Sequence, residues 1–265
     1  QDEWKLAREV ELTMGLKAER NPYTGVEWLP NVRLGWTVAP GHFLWTALSR
    51  AVRAPSRIDR DAFSGVLETN DTFGSEVANV AELGYRAQLT PEFSLSATAF
   101  YHRYPNLRSV QFTPDGTGVI FANGLEGTAH GVESWATWQV SPRWRVSGGF
   151  TALSERFAVR PGHVDLGGVT QISNDPRHTA LLRSSWDIGR VWEADLTVRN
   201  VGRIPNYDVP EYTALDARIG WRARPGLEVA LIAQNLSGSD HAEFGAAGIR
   251  AVFDRAYLVR VTWQP

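Results

Sequence analysis

Residues 212–236, YTALDARIGWRARPGLEVALIAQNL, carry the feature that most constrains this chain. Leu215, Ala217, Ile219 and Trp221 alternate with Asp216, Arg218, Gly220 and Arg222. After Arg224-Pro225-Gly226 the pattern resumes, with Leu227, Val229 and Leu231 out of phase with Glu228. Side chains on a strand point alternately to opposite faces, so the stretch predicts a hairpin with one apolar and one charged face. The same period recurs throughout. Val10, Leu12, Met14 and Leu16 interleave with Glu11, Thr13, Gly15 and Lys17, and Trp192, Ala194, Leu196 and Val198 with Glu193, Asp195, Thr197 and Arg199. Val32, Leu34, Trp36 and Val38, then Leu83, Tyr85, Ala87 and Leu89, and finally Tyr257, Val259, Val261 and Trp263 repeat it. The chain reads as about 13 such segments, most of them roughly 10 residues long, with no long helix.

Either of two solvents can sit against the apolar faces. No apolar run approaches the length of a transmembrane helix. Spanning strands alternate, however, and a mean hydropathy of −0.26 is compatible with them. The formal net charge of −2 gives no bulk electrostatic case for nucleic acid or for an anionic membrane surface. The absence of cysteine removes disulfides, thiolate metal sites and cysteine nucleophiles together. The chain opens at Gln1 with neither an initiator Met nor a signal-peptide pattern, so a processed protein or a fragment is expected.

The connections and the tryptophans point to lipid. Short turns are predicted near Ala7-Arg8, Pro40-Gly41, Thr90-Pro91, Pro142-Arg143, Gly189-Arg190 and Pro225-Gly226. Between them lie longer polar stretches, at 21–28, 53–76, 105–126, 155–177, 203–211 and 237–254. A meander with that alternation places its tight turns on one rim and its long loops on the other, an order that Greek-key sandwiches seldom keep. Trp4, Trp36, Trp45, Trp138, Trp144, Trp186, Trp192 and Trp221 cluster near the short turns, and Trp263 ends the last segment. Indole concentrates at membrane–water interfaces, so Trp36, Trp138, Trp144, Trp186, Trp192, Trp221 and Trp263 are expected to form an interfacial girdle. A soluble sheet with Trp at its core edges explains individual residues but not their common rim. A sheet in hydrocarbon must close to satisfy its edge hydrogen bonds. The expectation is therefore an all-β, antiparallel, up-and-down transmembrane β-barrel, or part of one.

Several stretches carry motifs beyond the alternation. LWTALSRAVRAPSR (44–57) carries an Arg-x-Pro-Ser step at the end of a strand, and SEVANVAELGYRAQL (75–89) a Glu-Leu-Gly-Tyr-Arg strand. NGLEGTAHGVESWATW (123–138) carries a Gly-Val-Glu and NDPRH (174–178) a loop-to-strand entry. YTALDARIGW with ALIAQNLSGSDHAEFG (212–221 and 230–245) resembles the Tyr-Thr-x-Leu-Asp strand and the Asn-Leu turn after it, and RAYLVRVTW (255–263) the closing strand. In this order the stretches resemble the barrel of TonB-dependent outer-membrane receptors, and the resemblance implies that residues 1–265 are the C-terminal part of a 22-stranded barrel, without its N-terminal plug domain and TonB-binding segment. It also puts the short turns on the periplasmic side. One departure is Gln264-Pro265, which follows Trp263 where the family ends on an aromatic residue.

By alternation, Arg33, Glu82, Arg86, Glu133 and Arg145 project into the lumen, as do Arg183, Glu193, Asp195, Arg199 and Asp216, and Arg218, Arg222, Glu228 and Arg260. A ladder of mixed sign fits cross-strand ion pairing and contact with a polar plug, with a charge-lined solute path as the alternative. Arg50, Arg53, Arg57 and Arg60 have helix-like spacing, but Pro55 breaks the helix and Asp59 and Asp61 offset the charge. They read as a solvated loop base or as an attractor for an anionic chelate. Asp240, His241 and Glu243, and Asp175 with His178, lack a complete metal-ligand set, and Glu155 with Asp165 lacks a nucleophile to serve. Gly148-Gly149, between Val146 and Phe150, is expected to be a bend or close-contact site rather than a phosphate loop.

The candidate ligand contacts on the long loops are Arg53, Arg57, Arg60, Phe112, Phe121, His163, Tyr207, His241 and Phe244. The resemblance implies a receptor in the bacterial outer membrane that imports a scarce solute, a ferric siderophore before cobalamin, haem or an oligosaccharide. Its partners would be lipid, the plug and, through the plug, the inner-membrane energy-transducing complex. No cofactor, no metal site, no nucleic-acid partner and no catalytic activity is expected. A passive porin, a barrel enzyme and a soluble β-sandwich or propeller are the rivals.

Overall fold

A computed structural model describes residues 1–238 and 240–264, the side chain of Gln171 excepted. Pro265, the last residue of the Gln264-Pro265 departure, and Ser239, within the 230–245 stretch, lie outside the described residues.

The strands follow the alternation closely. In chain order they are β1 (Asp2–Lys5), β2 (Val10–Asn21), β3 (Gly25–Ala39), β4 (His42–Arg53), β5 (Glu76–Thr90), β6 (Phe93–Phe112), β7 (Val119–Ser141) and β8 (Trp144–Val159). Then come β9 (His178–Ile188), β10 (Trp192–Val201), β11 (Tyr212–Arg224), β12 (Leu227–Gln234), β13 (His241–Ala242), β14 (Val252–Phe253) and β15 (Ala256–Trp263). Thirteen of them form one sheet in the order β1 to β12 and then β15, and β13 pairs with β14 separately. Two single-turn helices, α1 (Arg57–Arg60) and α2 (Gly168–Ile172), lie in connections.

The chain divides into two compact units, residues 1–85 with 98–131 and 154–174, and residues 86–97 with 132–153 and 175–265. In the first unit, β2 and β3 set Leu12 opposite Leu34, Met14 opposite Val32 and Val10 opposite Trp36. β4 extends the same face with Leu48 beside Val32 and Leu44 beside Trp36. In the second unit, Trp192 lies between Ile188 and Trp221, Ala194 between Trp186 and Ile219, and Leu231 between Ile219 and Val259. Trp144 stacks on Trp186 at 6.3 Å and Trp192 on Trp221 at 5.9 Å between ring centroids.

These apolar faces are not covered by protein. Leu16, Leu48, Leu182, Ile219, Leu231, Val259 and Val261 are all exposed, as are Trp28, Trp36, Trp138, Trp144, Trp192, Trp221 and Trp263. Trp186 is half-buried against its neighbours. Among the described residues the buried apolar ones are mostly small, and their one cluster is Ile204, Val209 and Ala242. A water-soluble sheet of this size would bury its large side chains, whereas a lipid-facing one displays them.

Two connections depart from expectation. Residues 21–28 were expected to be a long loop, but β2 runs to Asn21 and β3 starts at Gly25. Asn21 Oδ1 accepts from the backbone N–H groups of Tyr23 (3.0 Å) and Thr24 (2.8 Å), and Gly25 adopts φ 77°, so three residues close the turn. The strict alternation of long and short connections fails there. Residues 105–126 were also expected to be a loop, but β6 and β7 continue to Phe112 and from Val119. Phe112 and Phe121 therefore stand on strands. The remaining long connections stay long.

Candidate functional site

The polar face of the second unit carries a compact ion network. Arg218 on β11 lies opposite Asp195 on β10, and its guanidinium donates to Asp195 and Glu193, each at 3.1 Å, and to Glu228 on β12. Arg183 on β9 donates to Asp195 at 2.7 Å, Ser185 Oγ donates to the same carboxylate at 2.7 Å, and Arg222 pairs with Glu193. Gly220 is what makes room: a Cβ there would lie 2.6 Å from an Arg218 amino nitrogen. Arg183, Arg218 and Arg222 are thus paired with Asp195, Glu193 and Glu228, and Arg222 also lies 3.9 Å from Asp187. Arg145 and Arg260 line the same concavity with no ion pair among the described residues. Arg33, Glu82, Arg86 and Glu133 likewise stand on strands, with Arg33, Arg86 and Glu133 exposed.

Glycines on the polar faces are covered by aromatic rings. Gly84 lies beneath the Trp45 indole and Gly35 beneath Phe43, and the Trp135 ring covers Gly149. Each ring occupies the space a Cβ would fill. Gly149 is thus a close-contact site, as the Gly-Gly pair predicts.

The loop after β4 is held by a second network. Asp59 is fully buried at the end of a capping box with Ser56, whose N–H and hydroxyl both donate to Asp59 Oδ2 at 2.8 Å. Arg53 reaches the same carboxylate at 2.9 Å and Arg108 at 3.1 Å. Burial alone would raise this carboxyl, but the hydrogen bonds from Arg53, Ser56 and Arg108 outweigh it and hold it far below the usual carboxylate range. Arg53 and the Arg108 N–H also converge on Glu76 at the start of β5. Arg60 donates to the carbonyls of Tyr23 (2.8 Å) and Asp71 and lies over the Tyr23 ring.

The outer-end candidates therefore divide. Arg57, Phe112, His163, Tyr207 and Phe244 are exposed. Arg53 and Arg60 are committed to holding the loop, and Phe121 lies under the Arg108 guanidinium at 4.9 Å. His241 stacks on Tyr212 at 4.1 Å and contacts Glu243, which also accepts from Arg199 at 2.8 Å. Arg199 donates to the Tyr212 hydroxyl at 2.6 Å as well. Asp165 accepts backbone N–H groups of Val110, Gly167 and Val169, an anchor for its loop. His178 faces Glu211 at 3.6 Å. No group of three metal-ligating side chains occurs among the described residues.

The turn after β12 is tied to β11 by contacts that alternation does not predict. Asp216 accepts from the Asn235 N–H at 2.9 Å, and Asn235, at φ 54°, donates its amide to the Phe253 carbonyl at 3.2 Å. Leu236 N–H returns to Leu215 O at 2.7 Å. The Leu-Asp and Asn-Leu steps are therefore two halves of one latch, so Asp216 acts at the turn as well as on the polar face.

The geometry has a close counterpart. The sequence profile described as "TonB dependent receptor-like, beta-barrel" matches residues 1–236. The chain belongs to this family. Solved structures agree in fold. A mutant ferric enterobactin receptor of Pseudomonas aeruginosa superposes with a TM-score of 0.77 at 17% identity, over 97% of this chain and 43% of that one. The ferric yersiniabactin uptake receptor of Yersinia pestis gives 0.70 at 16%, over 97% and 42%, and a copper transporter 0.73 at 16%, over 98% and 46%. The receptor-barrel chain thus spans less than half the length of these structures. No curated protein matches its sequence significantly. TonB-dependent receptors are outer-membrane β-barrels that act as receptors and transporters rather than enzymes, and no helix among the described residues is long and apolar enough to cross a membrane.

Proposed function

We propose that residues 1–265 are part of the barrel wall of an outer-membrane receptor that imports a scarce solute, with a ferric siderophore as its cargo. The observation that carries this reading is the exposed, Trp-bordered apolar face on a sheet of the family's fold, opposite a charged face with ion pairs across its strands. The cross-strand pairing around Arg218 suits contact with a polar plug. The exposed outer-end residues Arg57, Phe112, His163, Tyr207 and Phe244 are the ones available to a ligand, and the plug would pass on the pull of the inner-membrane energy-transducing complex.

The similarity to ferric enterobactin and ferric yersiniabactin receptors supports the iron cargo, and the copper transporter supports a second reading in which copper is carried. Deleting the gene that encodes this chain separates them. Iron uptake fed by exogenous ferric siderophores should fall while copper accumulation stays unchanged. Loss of copper uptake alone would establish the second reading, and unchanged uptake of both would refute an import role for either metal.

A further inference from the structure

The apolar face of the first unit carries a furrow that neither the polar-face network nor the outer loops explain. It crosses β3 to β6 and has a volume of about 460 Å³, within the range of small-molecule sites. Pro30, Val32 and Leu48 line one side and Tyr101 the other, while Ala81 and Asn79 on the intervening strand β5 are short and leave the depression. Leu48 and Tyr101 are exposed at 60% and 48%, so no protein group fills the space between them. At its outer end stand two cations. Arg50 is committed to the Trp28 carbonyl at 2.6 Å and to Glu27 at 3.3 Å. Arg103 is exposed and has no ion pair among the described residues.

The height of Arg103 can be estimated from the chain. It lies ten residues beyond Phe93, the first residue of β6 after the short turn. At about 3.3 Å per residue and a tilt of about 40°, it stands roughly 25 Å above that rim, the height of a barrel's apolar band. Trp28, exposed on the same face, precedes the short turn at the end of β3 by a similar distance and marks the same level independently. A free guanidinium at headgroup depth above an apolar furrow is complementary to a phosphate with an acyl chain beneath it.

We infer that this furrow binds one phosphorylated lipid of the outer leaflet, with an acyl chain between Leu48 and Tyr101 and its phosphate on Arg103. Asn79 offers an amide to the polar link between them. The inference rests on the outer-membrane reading above. The intact receptor carrying these residues, purified in neutral detergent, is titrated with a bisphosphorylated acylated glucosamine disaccharide, with phosphatidylcholine and with inorganic phosphate, and bound lipid is counted by native mass spectrometry. One phosphorylated lipid should persist after delipidation, with neither of the other probes replacing it. Arg103→Gln and Ala81→Phe, which fills the furrow, should each weaken its retention at least fivefold, while Arg143→Gln on a short turn leaves it unchanged. Thermal melting of each variant verifies its fold. Equal retention of the zwitterionic lipid, or equal losses from Arg103→Gln and Arg143→Gln, would overturn the site while leaving the membrane reading intact. A receptor that stays monodisperse without detergent and retains no lipid would sink both.

Discussion

At the residue scale, the chain places its few buried polar groups where they fix backbone. Asp59 is the clearest case, because Arg53, Arg108 and Ser56 all converge on its carboxylate. Asp59→Ala should destabilise the loop over 54–75 by about 2 kcal/mol, the cost of leaving buried donors without their acceptor. The measurement is hydrogen exchange at loop amides, which should accelerate there while the strands keep their protection. The carboxyl is depressed in the folded protein, so its contribution is complete above the ordinary carboxylate pKa of about 3.9 and is lost as pH falls through its lower folded value. The gap between wild type and Asp59→Asn should therefore be full at neutral pH and shrink in strong acid. Asn235 makes a complementary case. Its left-handed φ of 54° requires a tolerant backbone, and its hydrogen bond to the Phe253 carbonyl requires a side-chain amide, whereas the bond to Asp216 comes from the backbone N–H. Asn235→Gly keeps the first and loses the second, whereas Asn235→Val loses both and should lower the melting temperature further.

At the element scale, the two faces of β12 and β15 make opposite predictions. Leu231 is exposed on the apolar face beside Ile219 and Val259. Leu231→Arg should cost about 2–4 kcal/mol of stability in a bilayer, as a cation near the midplane does. Thr262→Arg, on the other face opposite Glu228, should change stability by less than about 1 kcal/mol. Urea unfolding of the intact receptor in phosphatidylcholine vesicles reads both, and equal costs would refute the assignment of the faces. That assignment was legible in the sequence because a period of two needs no tertiary information. The long ribbon of β6 and β7 was not. Once strands rise above the membrane, water bathes both faces, apolar selection ends, and Pro105, Asn106, Asp115 and Gly116 read as loop although the ladder continues on either side of 113–118. The partners within the charged face were equally hidden. Arg218 meets Asp195 through strand register and Glu193 and Glu228 through the space left by Gly220, and neither follows from alternation.

At the scale of the whole molecule, the sheet ends at β1 and at β15, each with one strand neighbour among the described residues. β15 pairs with β12 from Ala256 to Trp263, so the backbone N–H and C=O groups on its other side have no strand partner there. In water such an edge recruits another chain, and in hydrocarbon each unpaired group costs several kcal/mol. The apolar face cannot escape this by turning inward, because among the described residues its large side chains have no second layer to pack against. Residues 1–265 taken alone have two routes left: aggregation through the edges, or pairing of β1 with β15. The second is weak, since β1 offers only Asp2–Lys5 to the longer β15 and leaves half of it unpaired. The isolated chain, refolded into detergent and added to a planar bilayer, should therefore give no reproducible unitary conductance and should elute as polydisperse aggregates. Uniform single-channel steps would mean that β1 and β15 close the sheet by themselves, and that the edges set no requirement for further strands.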